Sequence, residues 1–205
     1  MIWSEAVHRI IGDANATPED CYLMHMPATR RWTIAELHRL PEDGNKYELV
    51  RGELFVTPAP TFGHETIGAI LNSLLEPYVR THSLGRIYRP RAIVRARPHS
   101  EVEPDLMVRP TAPPRTTWDR APKPILVVEV TSETTRRRDY FHKRRLYLDL
   151  GIPEYWIVDT DDREVHIVRR DEEDVTVAEE LAWHPAGASV PLQLDVAAIF
   201  REVLG

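Results

Sequence analysis

Two spacings of hydrophobic residues alternate along the chain, and together they predict a mixed α/β order. In HETIGAILNSLLEPYVRTH the apolar residues recur at steps of three and four from Ile67 to Tyr78, which is typical of an amphipathic helix. KYELVRGELFVTPAP holds two strand-like runs joined at Arg51 and Gly52, which predicts a β-hairpin. The stretch ILVVEVTS, residues 125–132, is almost continuously apolar and predicts a buried strand.

Shorter patterns complete this order. TIAELHRLP predicts a short helix capped by Thr33, RIYRPRAIV and VEPDLMV predict strands, and the proline-rich TAPPRTTWDRAPKP predicts a surface loop. ETTRRRDYFHKRRLYLDLG predicts a helix that ends at Gly151, EYWIVD and EVHIVRR predict a strand pair, and VAAIFREVL predicts a terminal helix. We therefore expect one α/β domain over residues 29–205, with a mixed central sheet flanked by helices. A helical extension and a polar linker are expected over residues 1–28.

Composition limits the class of protein. The chain has 205 residues, of which 42% are hydrophobic and 28% charged, so we expect one soluble globular domain. Cys21 is the only cysteine, which excludes a disulfide within the chain and fits a reducing, cytoplasmic location. The N-terminal residues lack the pattern of a signal peptide. No stretch reaches the roughly 18 apolar residues of a spanning helix, so we expect no membrane partner.

The net charge of −6 bears on the partner. A protein that relies on nonspecific affinity for nucleic acid is usually basic, so the overall charge weakens a nucleic-acid-binding interpretation. A local basic groove or a bound divalent metal would nevertheless be enough to attract a polyanion.

Glu129 interrupts the apolar run of ILVVEVTS. A carboxylate buried alone costs several kcal/mol or gives up its charge, so a cation, a metal ion or a proton is expected beside it. Asp105 begins another short strand, and if the two strands are adjacent both acids point into one pocket. Two close carboxylates would suit Mg²⁺ or Mn²⁺. The alternatives are an ordinary ion pair for Glu129 and a turn or cap role for Asp105.

The helix that follows offers a partner for these acids. Asp139, Lys143 and Tyr147 lie four residues apart and share one stripe of the helix. If this stripe faces the sheet, Lys143 reaches the acids and its ammonium could hold an attacking water. Lys143 could instead be a solvated or snorkelling lysine. For Asp139 we favour the role of a first-turn acid, and for Tyr147 a place in the core.

Two groups of arginines could bind phosphates. Arg136, Arg137 and Arg138, with Lys143 and the arginines that follow it, could line a groove, or they could form a solvated face that balances the acid-rich stretch 159–180. On RIYRPRAIVRAR, a single strand would place four arginines on one face as a basic stripe: Arg89, Arg91, Arg95 and Arg97.

Several of these motifs together resemble a known family. PDLMV, LVVEVTS and DYFHKRRLYLDLGIPEYWIVD, with KYELVRGELFVTPAPTFGHETI upstream, resemble the Uma-two (Uma2) family of restriction endonucleases, in the PD-(D/E)XK nuclease superfamily. The resemblance covers roughly residues 32 to 200. It implies a restriction-endonuclease-like fold, a Mg²⁺ or Mn²⁺ cofactor, and hydrolysis of phosphodiester bonds in nucleic acid, with DNA the expected partner.

The resemblance also assigns metal ligands. Asp105 matches the metal-binding aspartate, and Glu129 matches the acidic residue of the (D/E)XK element. In the superfamily the backbone carbonyl after that acid completes the metal shell, which here is the carbonyl of Val130. Glu48, in YELVRGE, matches a recurrent acid that could join the site.

The lysine of the superfamily motif is missing from its usual place. Thr131 stands where that lysine belongs, and the resemblance transfers the role to Lys143 on the following helix. The carbonyl or hydroxyl of Thr131 is a further candidate for the metal site. His64 matches a histidine of the family near the start of a helix, where it could otherwise cap the helix or lie in the core.

Two further expectations concern assembly and activity. A nuclease that cuts both strands of a duplex is expected to act as a homodimer, because the two strands are related by a two-fold axis. The alternative function is a catalytically weak or inactive nuclease-fold protein that binds nucleic acid or a protein partner. The threonine at position 131 and the acidic net charge favour this alternative.

Overall fold

The computed structural model describes residues 30–205, in which helices pack against sheets. The helices are α1 (Ile34–Leu37), α2 (Phe62–Thr81), α3 (Arg144–Asp149) and α4 (Val196–Leu204), and a π-helical turn over Arg138–Lys143 leads directly into α3. The strands are β1 (Lys46–Val50), β2 (Glu53–Thr57), β3 (Arg86–Tyr88), β4 (Val94–Ala96), β5 (Ser100–Val102), β6 (Leu106–Arg109), β7 (Leu126–Thr131), β8 (Glu154–Asp159), β9 (Glu164–Arg169), β10 (Val175–Val177), β11 (Glu180–Trp183) and β12 (Leu192–Asp195). The extension expected over residues 1–28 lies outside the described residues, and its boundary with the domain at residue 29 stays a prediction.

The strands of residues 30–205 form a central mixed sheet and two smaller antiparallel sheets. The central sheet has the order β10-β9-β8-β7-β6-β3, in which β7 and β8 are parallel and the other neighbours antiparallel. The second sheet has the order β2-β1-β5-β4, and β11 pairs with β12. The predicted mixed α/β architecture is confirmed.

The central strand β7 is buried along its whole length, as its apolar sequence predicts. Leu126, Val128 and Val130 pack with α2 and α4 in the core on one side of the sheet. Val127 belongs to the core on the other side, together with Leu146 and Tyr147 of α3. Side chains alternate along a strand, so Glu129 shares the face of Val127 and points toward α3.

Local chemistry explains the first two predicted elements. Thr33 and Glu36 form a reciprocal capping box at the start of α1, with a hydrogen bond of 2.9 Å from the Thr33 N–H to Glu36 Oε2. The β1–β2 hairpin turns at Arg51 and Gly52, whose φ angles of 54° and 90° are left-handed. Turns of this hand match the twist of the paired strands, which favours glycine in the second position.

One predicted strand is wrong. RIYRPRAIV is not continuous, because β3 ends at Tyr88 and β4 begins at Val94. Pro90 lies between them and cannot donate a ladder hydrogen bond. The chain turns here, with the Ala92 N–H donating to the Arg89 carbonyl at 2.9 Å, and it passes from the central sheet to the second sheet.

Within residues 30–205, none of the helices combines the length and the apolar character that crossing a bilayer requires.

Candidate active site

Asp105 and Glu129 lie opposite each other on adjacent strands. The antiparallel register pairs Leu106 with Val128, so the preceding residue, Asp105, lies beside Glu129 and points to the same face. Asp105 Oδ2 accepts a hydrogen bond of 2.9 Å from the Val130 N–H. The two strands are therefore adjacent, which is the condition for a pocket shared by the two acids.

The stripe of the following helix does face the sheet. Lys143 Nζ lies 2.8 Å from Glu129 Oε1 and 2.9 Å from Glu48 Oε1, and its side chain is 0% exposed. Tyr147 Oη donates a hydrogen bond of 2.6 Å to the same oxygen of Glu129. Lys143 is therefore not a solvated lysine, and Tyr147 contacts the acids in addition to packing in the core.

Arg138 and Asp139 complete the buried part of the cluster. Arg138 Nη1 lies 3.4 Å from Glu48 Oε2, and its Nε donates to Asp139 Oδ1 at 3.1 Å. Asp139 is fully buried and lies 3.9 Å from Lys143 Nζ. Asp139 is thus more than a first-turn acid, because it balances two buried cations.

Asp105 lies at the solvent-facing side of the cluster, between two cationic side chains. Lys46 Nζ is 3.4 Å from Asp105 Oδ1, and His64 Nε2 is 3.1 Å from Asp105 Oδ2. The exposed fractions of these side chains are 21% for Lys46, 24% for His64 and 11% for Asp105. The structure thus places His64 next to a candidate metal ligand. We call Lys46, His64 and Asp105 the open layer of the cluster.

The buried layer consists of the remaining side chains of the cluster, which are almost completely excluded from solvent: Glu48, Glu129, Arg138, Asp139, Lys143 and Tyr147. A ligand from solvent therefore meets the open layer first.

The charges of the cluster are strongly coupled. Burial raises the pKa of Glu129, and the nearby negative charge of Asp105 adds to this effect. Burial alone would also raise the pKa of Asp105, but the positive charge of Lys46 and the hydrogen bond from His64 outweigh it and lower that pKa. For Glu48, the ammonium groups of Lys143 and Lys46 likewise outweigh burial and lower its pKa.

Thr131 does not join the cluster. Its hydroxyl lies 2.7 Å from the hydroxyl of Thr135, and its carbonyl accepts a hydrogen bond of 2.9 Å from Thr160 Oγ1. Both groups proposed as metal ligands are therefore engaged at the carboxyl end of β7, away from the acids.

The two arginine groups are not arranged as predicted. Arg138 is buried among the acids, Arg136 is half-buried and pairs with Asp159 at 2.7 Å, and Arg137 is exposed. Residues 136–138 therefore do not share one exposed face, and binding of phosphates by Arg136 and Arg137 stays a prediction.

The prediction that Arg89, Arg91, Arg95 and Arg97 share one face of a single strand is also wrong. Arg89 and Arg91 lie in the turn between β3 and β4, and Arg89 pairs with Glu65 at 3.3 Å. Arg95 and Arg97 both pair with Asp119, at 3.0 Å and 2.6 Å. Their positive charges are therefore partly neutralised by acids of the chain itself.

Sequence patterns indicate no role in the cluster for Lys46 and a different role for Arg138. A signal for Lys46 is its position two residues from Glu48, a spacing that places both on one strand face. Arg138 was assigned to the phosphate-binding run because three consecutive arginines suggest a surface.

The fold defines the class of protein. It is similar to that of the crystal structure of a putative nuclease belonging to DUF820 from Anabaena variabilis, with a TM-score of 0.70 and 21% sequence identity. The match covers 84% of this chain and 99% of the other. The chain thus has a nuclease-like, mixed α/β fold.

The family follows from the sequence. The model of the Uma2 family, described as "Putative restriction endonuclease", matches residues 34–198, and the chain belongs to this family. No curated protein shows significant similarity to the chain. Membership supports a nuclease function in general terms.

Proposed function

We propose that the protein is a Mg²⁺- or Mn²⁺-dependent endonuclease that hydrolyses phosphodiester bonds of DNA. The observation that carries this proposal is the placement of Asp105 opposite Glu129, with the ammonium of Lys143 on Glu129 at 2.8 Å. Membership in a restriction-endonuclease family supports nucleic acid as the substrate.

The acids of the cluster fit a hard divalent ion. Asp139 Oδ2 is a buried oxygen without a hydrogen-bond partner among residues 30–205, and Glu48 Oε2 has only its ion pair with Arg138 at 3.4 Å, so the cluster retains some acceptor capacity. No group of three or more His, Cys, Asp or Glu side chains in this part of the chain is arranged to enclose a metal ion. Mg²⁺ commonly binds through one or two carboxylates and keeps several waters, so Asp105 and Glu129 suffice.

Asp105 and Glu129 would hold the ion, with the Val130 carbonyl as an additional ligand, whereas Glu48 is paired with Lys143 and Arg138. When bound, the ion would supply Lewis acidity toward a phosphate oxygen and make a bound water more acidic.

The other residues of the cluster orient these ligands. Lys143 and Tyr147 converge on Glu129 Oε1, which fixes the rotation of that carboxylate. The Val130 N–H and His64 hold Asp105 Oδ2 from two sides. Groups that are already fixed need little reorganisation in the transition state, and this lowers the activation free energy.

A second candidate function is a nuclease-fold protein that binds nucleic acid or a protein partner without cutting. Lys46, Arg138 and Lys143 already balance most of the negative charge of the four acids of the cluster. A divalent ion would have to compete with these cations, and Thr131 replaces the lysine of the superfamily motif.

Cleavage of supercoiled plasmid separates the two functions. The wild-type protein is incubated with plasmid and Mg²⁺ or Mn²⁺, next to Asp105→Asn, Glu129→Gln and the control Glu173→Gln, which changes an exposed acid outside the cluster. We expect the two site variants to lose at least about 100-fold in rate and the control to match wild type. Cleavage that survives both site substitutions would reveal a contaminating nuclease. Absence of cleavage by wild type with either metal would favour the binding function.

A further inference from the structure

We propose that Lys46 is a catalytic residue of this nuclease, and that its ammonium contacts the phosphate that is cut, beside Asp105. This inference rests on the proposed function and assigns the lysine that faces the substrate. The family resemblance gives that role to Lys143, whereas the geometry favours Lys46.

Lys143 is placed to orient acids and has no access to a substrate. Its side chain is 0% exposed, and its ammonium lies within 2.9 Å of both Glu48 and Glu129. To touch a phosphate, Lys143 would have to leave both carboxylates, and the buried Glu129 would then keep only the hydrogen bond from Tyr147. Breaking a buried ion pair in this way is strongly unfavourable, so Lys143 acts as a positioning residue.

Lys46 has the access that Lys143 lacks. Side chains alternate along β1, so Lys46 and Glu48 point to the same face, and the Lys46 side chain is 21% exposed where that of Lys143 is fully buried. Its ammonium lies 3.4 Å from Asp105 Oδ1 and 3.8 Å from Glu48 Oε1. Both distances exceed the roughly 2.7–2.9 Å of a strong charge-assisted hydrogen bond. The ammonium is therefore attracted to the acids without being locked onto either of them.

An ammonium at this place suits phosphodiester hydrolysis. The oxygen of water forms a bond to phosphorus, and the bond from phosphorus to the leaving sugar oxygen breaks. One water proton ends on the leaving alcohol, and the other is lost to solvent from the new phosphate. Lys46 stays protonated throughout and donates hydrogen bonds to a nonbridging phosphate oxygen, where it offsets the charge that develops.

The position of Lys46 also accounts for the threonine at position 131. In the superfamily motif the lysine lies on the same strand as the acid. Thr131 occupies that position here, and its hydroxyl is hydrogen-bonded to the hydroxyl of Thr135. Lys46 on β1 would supply the missing cation, because its ammonium lies near Glu48 and Asp105 of the same cluster.

The test compares single-turnover cleavage at saturating DNA and Mn²⁺ for Lys46→Met, Lys46→Arg and the control Lys123→Met. Methionine keeps the aliphatic stem and removes the charge, arginine keeps the charge, and Lys123 is an exposed lysine of the proline-rich loop. We expect Lys46→Met to lose about 100-fold in rate, Lys46→Arg to recover part of it, and the control to equal wild type. Calorimetric affinity for Mn²⁺ should be no weaker in Lys46→Met, because a nearby positive charge has been removed.

Three results would overturn the assignment. A rate for Lys46→Met within about threefold of wild type would show that the ammonium does not act in the reaction. Lys46→Met could lose rate together with weaker Mn²⁺ binding or a lower melting temperature. If Lys46→Arg did not restore the rate, this result would show a structural role for Lys46. A wild-type protein that cuts no nucleic acid would overturn the nuclease function together with this assignment, whereas the first two results leave the nuclease function standing.

Discussion

Tyr147 Oη donates a hydrogen bond of 2.6 Å to Oε1 of Glu129, and both side chains are buried between β7 and α3. A phenol that donates to a carboxylate in the interior makes a strong bond. Burial and the negative charge of Glu129 raise the pKa of Tyr147 well above its ordinary value, so the phenol stays protonated and keeps donating.

Tyr147→Phe tests the strength of this bond. The ring keeps its packing, so the substitution should lower the free energy of unfolding by about 1.5–3 kcal/mol through the lost hydrogen bond to a charged group. Urea denaturation measures the change. Tyr140→Phe is the matched control, because Tyr140 donates to Asp159 at 2.9 Å but is only partly buried. An equal loss in both variants would show that the hydrogen bond to Glu129 contributes no more to the free energy of unfolding than the partly buried one to Asp159.

Lys143→Met tests the buried ion pairs. The substitution leaves Glu48 and Glu129 without the cation they share, so the free energy of unfolding should fall by about 3–5 kcal/mol. Adding Glu129→Gln to the same chain removes the buried charge that has lost its cation and should restore part of the loss. A double-mutant cycle by urea denaturation measures the coupling. Additive effects of the two substitutions would contradict a direct interaction.

Divalent metal should stabilise the folded protein. An ion that binds only the folded chain raises the free energy of unfolding by about 2.7 kcal/mol at 100 times its dissociation constant. Thermal unfolding with Mg²⁺ or Mn²⁺, reversed by a chelator, measures this increase. Asp105→Asn should abolish the shift and Glu173→Gln should preserve it. An unchanged shift in Asp105→Asn would place the ion elsewhere on the chain.

Gly85 should tolerate no side chain. A Cβ atom there would lie 2.0 Å from the carbonyl oxygen of Arg109, and its φ is +134°. Gly85→Ala should therefore lower the free energy of unfolding by roughly 3 kcal/mol or more, because backbone atoms of β6 would have to move. Gly44→Ala is the control, since its φ is +90° but no atom lies within 4 Å, and its cost should be about 1–2 kcal/mol. Similar melting temperatures for the two variants would contradict the steric argument.

Much of the fold follows from local patterns. The capping box at Thr33, the hairpin at Arg51 and Gly52, and the apolar run of β7 each depend on neighbours in sequence, and each was predicted correctly. The break between β3 and β4 does not follow from the pattern, because the arginines on both sides of Pro90 alternate regularly, as in a single strand. The passage of the chain from one sheet to another is a tertiary event that alternation does not reveal.

The candidate site was predictable where one element supplies the signal. Glu129 was noticed because it interrupts an apolar run, and Lys143 because it shares a stripe with Asp139 and Tyr147. The contact of Lys46 with Asp105 joins residues 59 positions apart, so the sequence does not predict it. Such contacts depend on how β1 packs over the central sheet, which no local pattern encodes.

The π-helical turn Arg138–Lys143 brings residues five positions apart to the same side of this helix. In an α-helix of 3.6 residues per turn, residues five apart point about 140° away from each other. The wider turn closes over five residues, and Arg138 and Lys143 both reach Glu48, at 3.4 Å and 2.9 Å. Relatives in which two cations pair with this glutamate in the same way should therefore carry them five residues apart. A search for helical pairs at separations of three, four or seven residues would overlook this spacing.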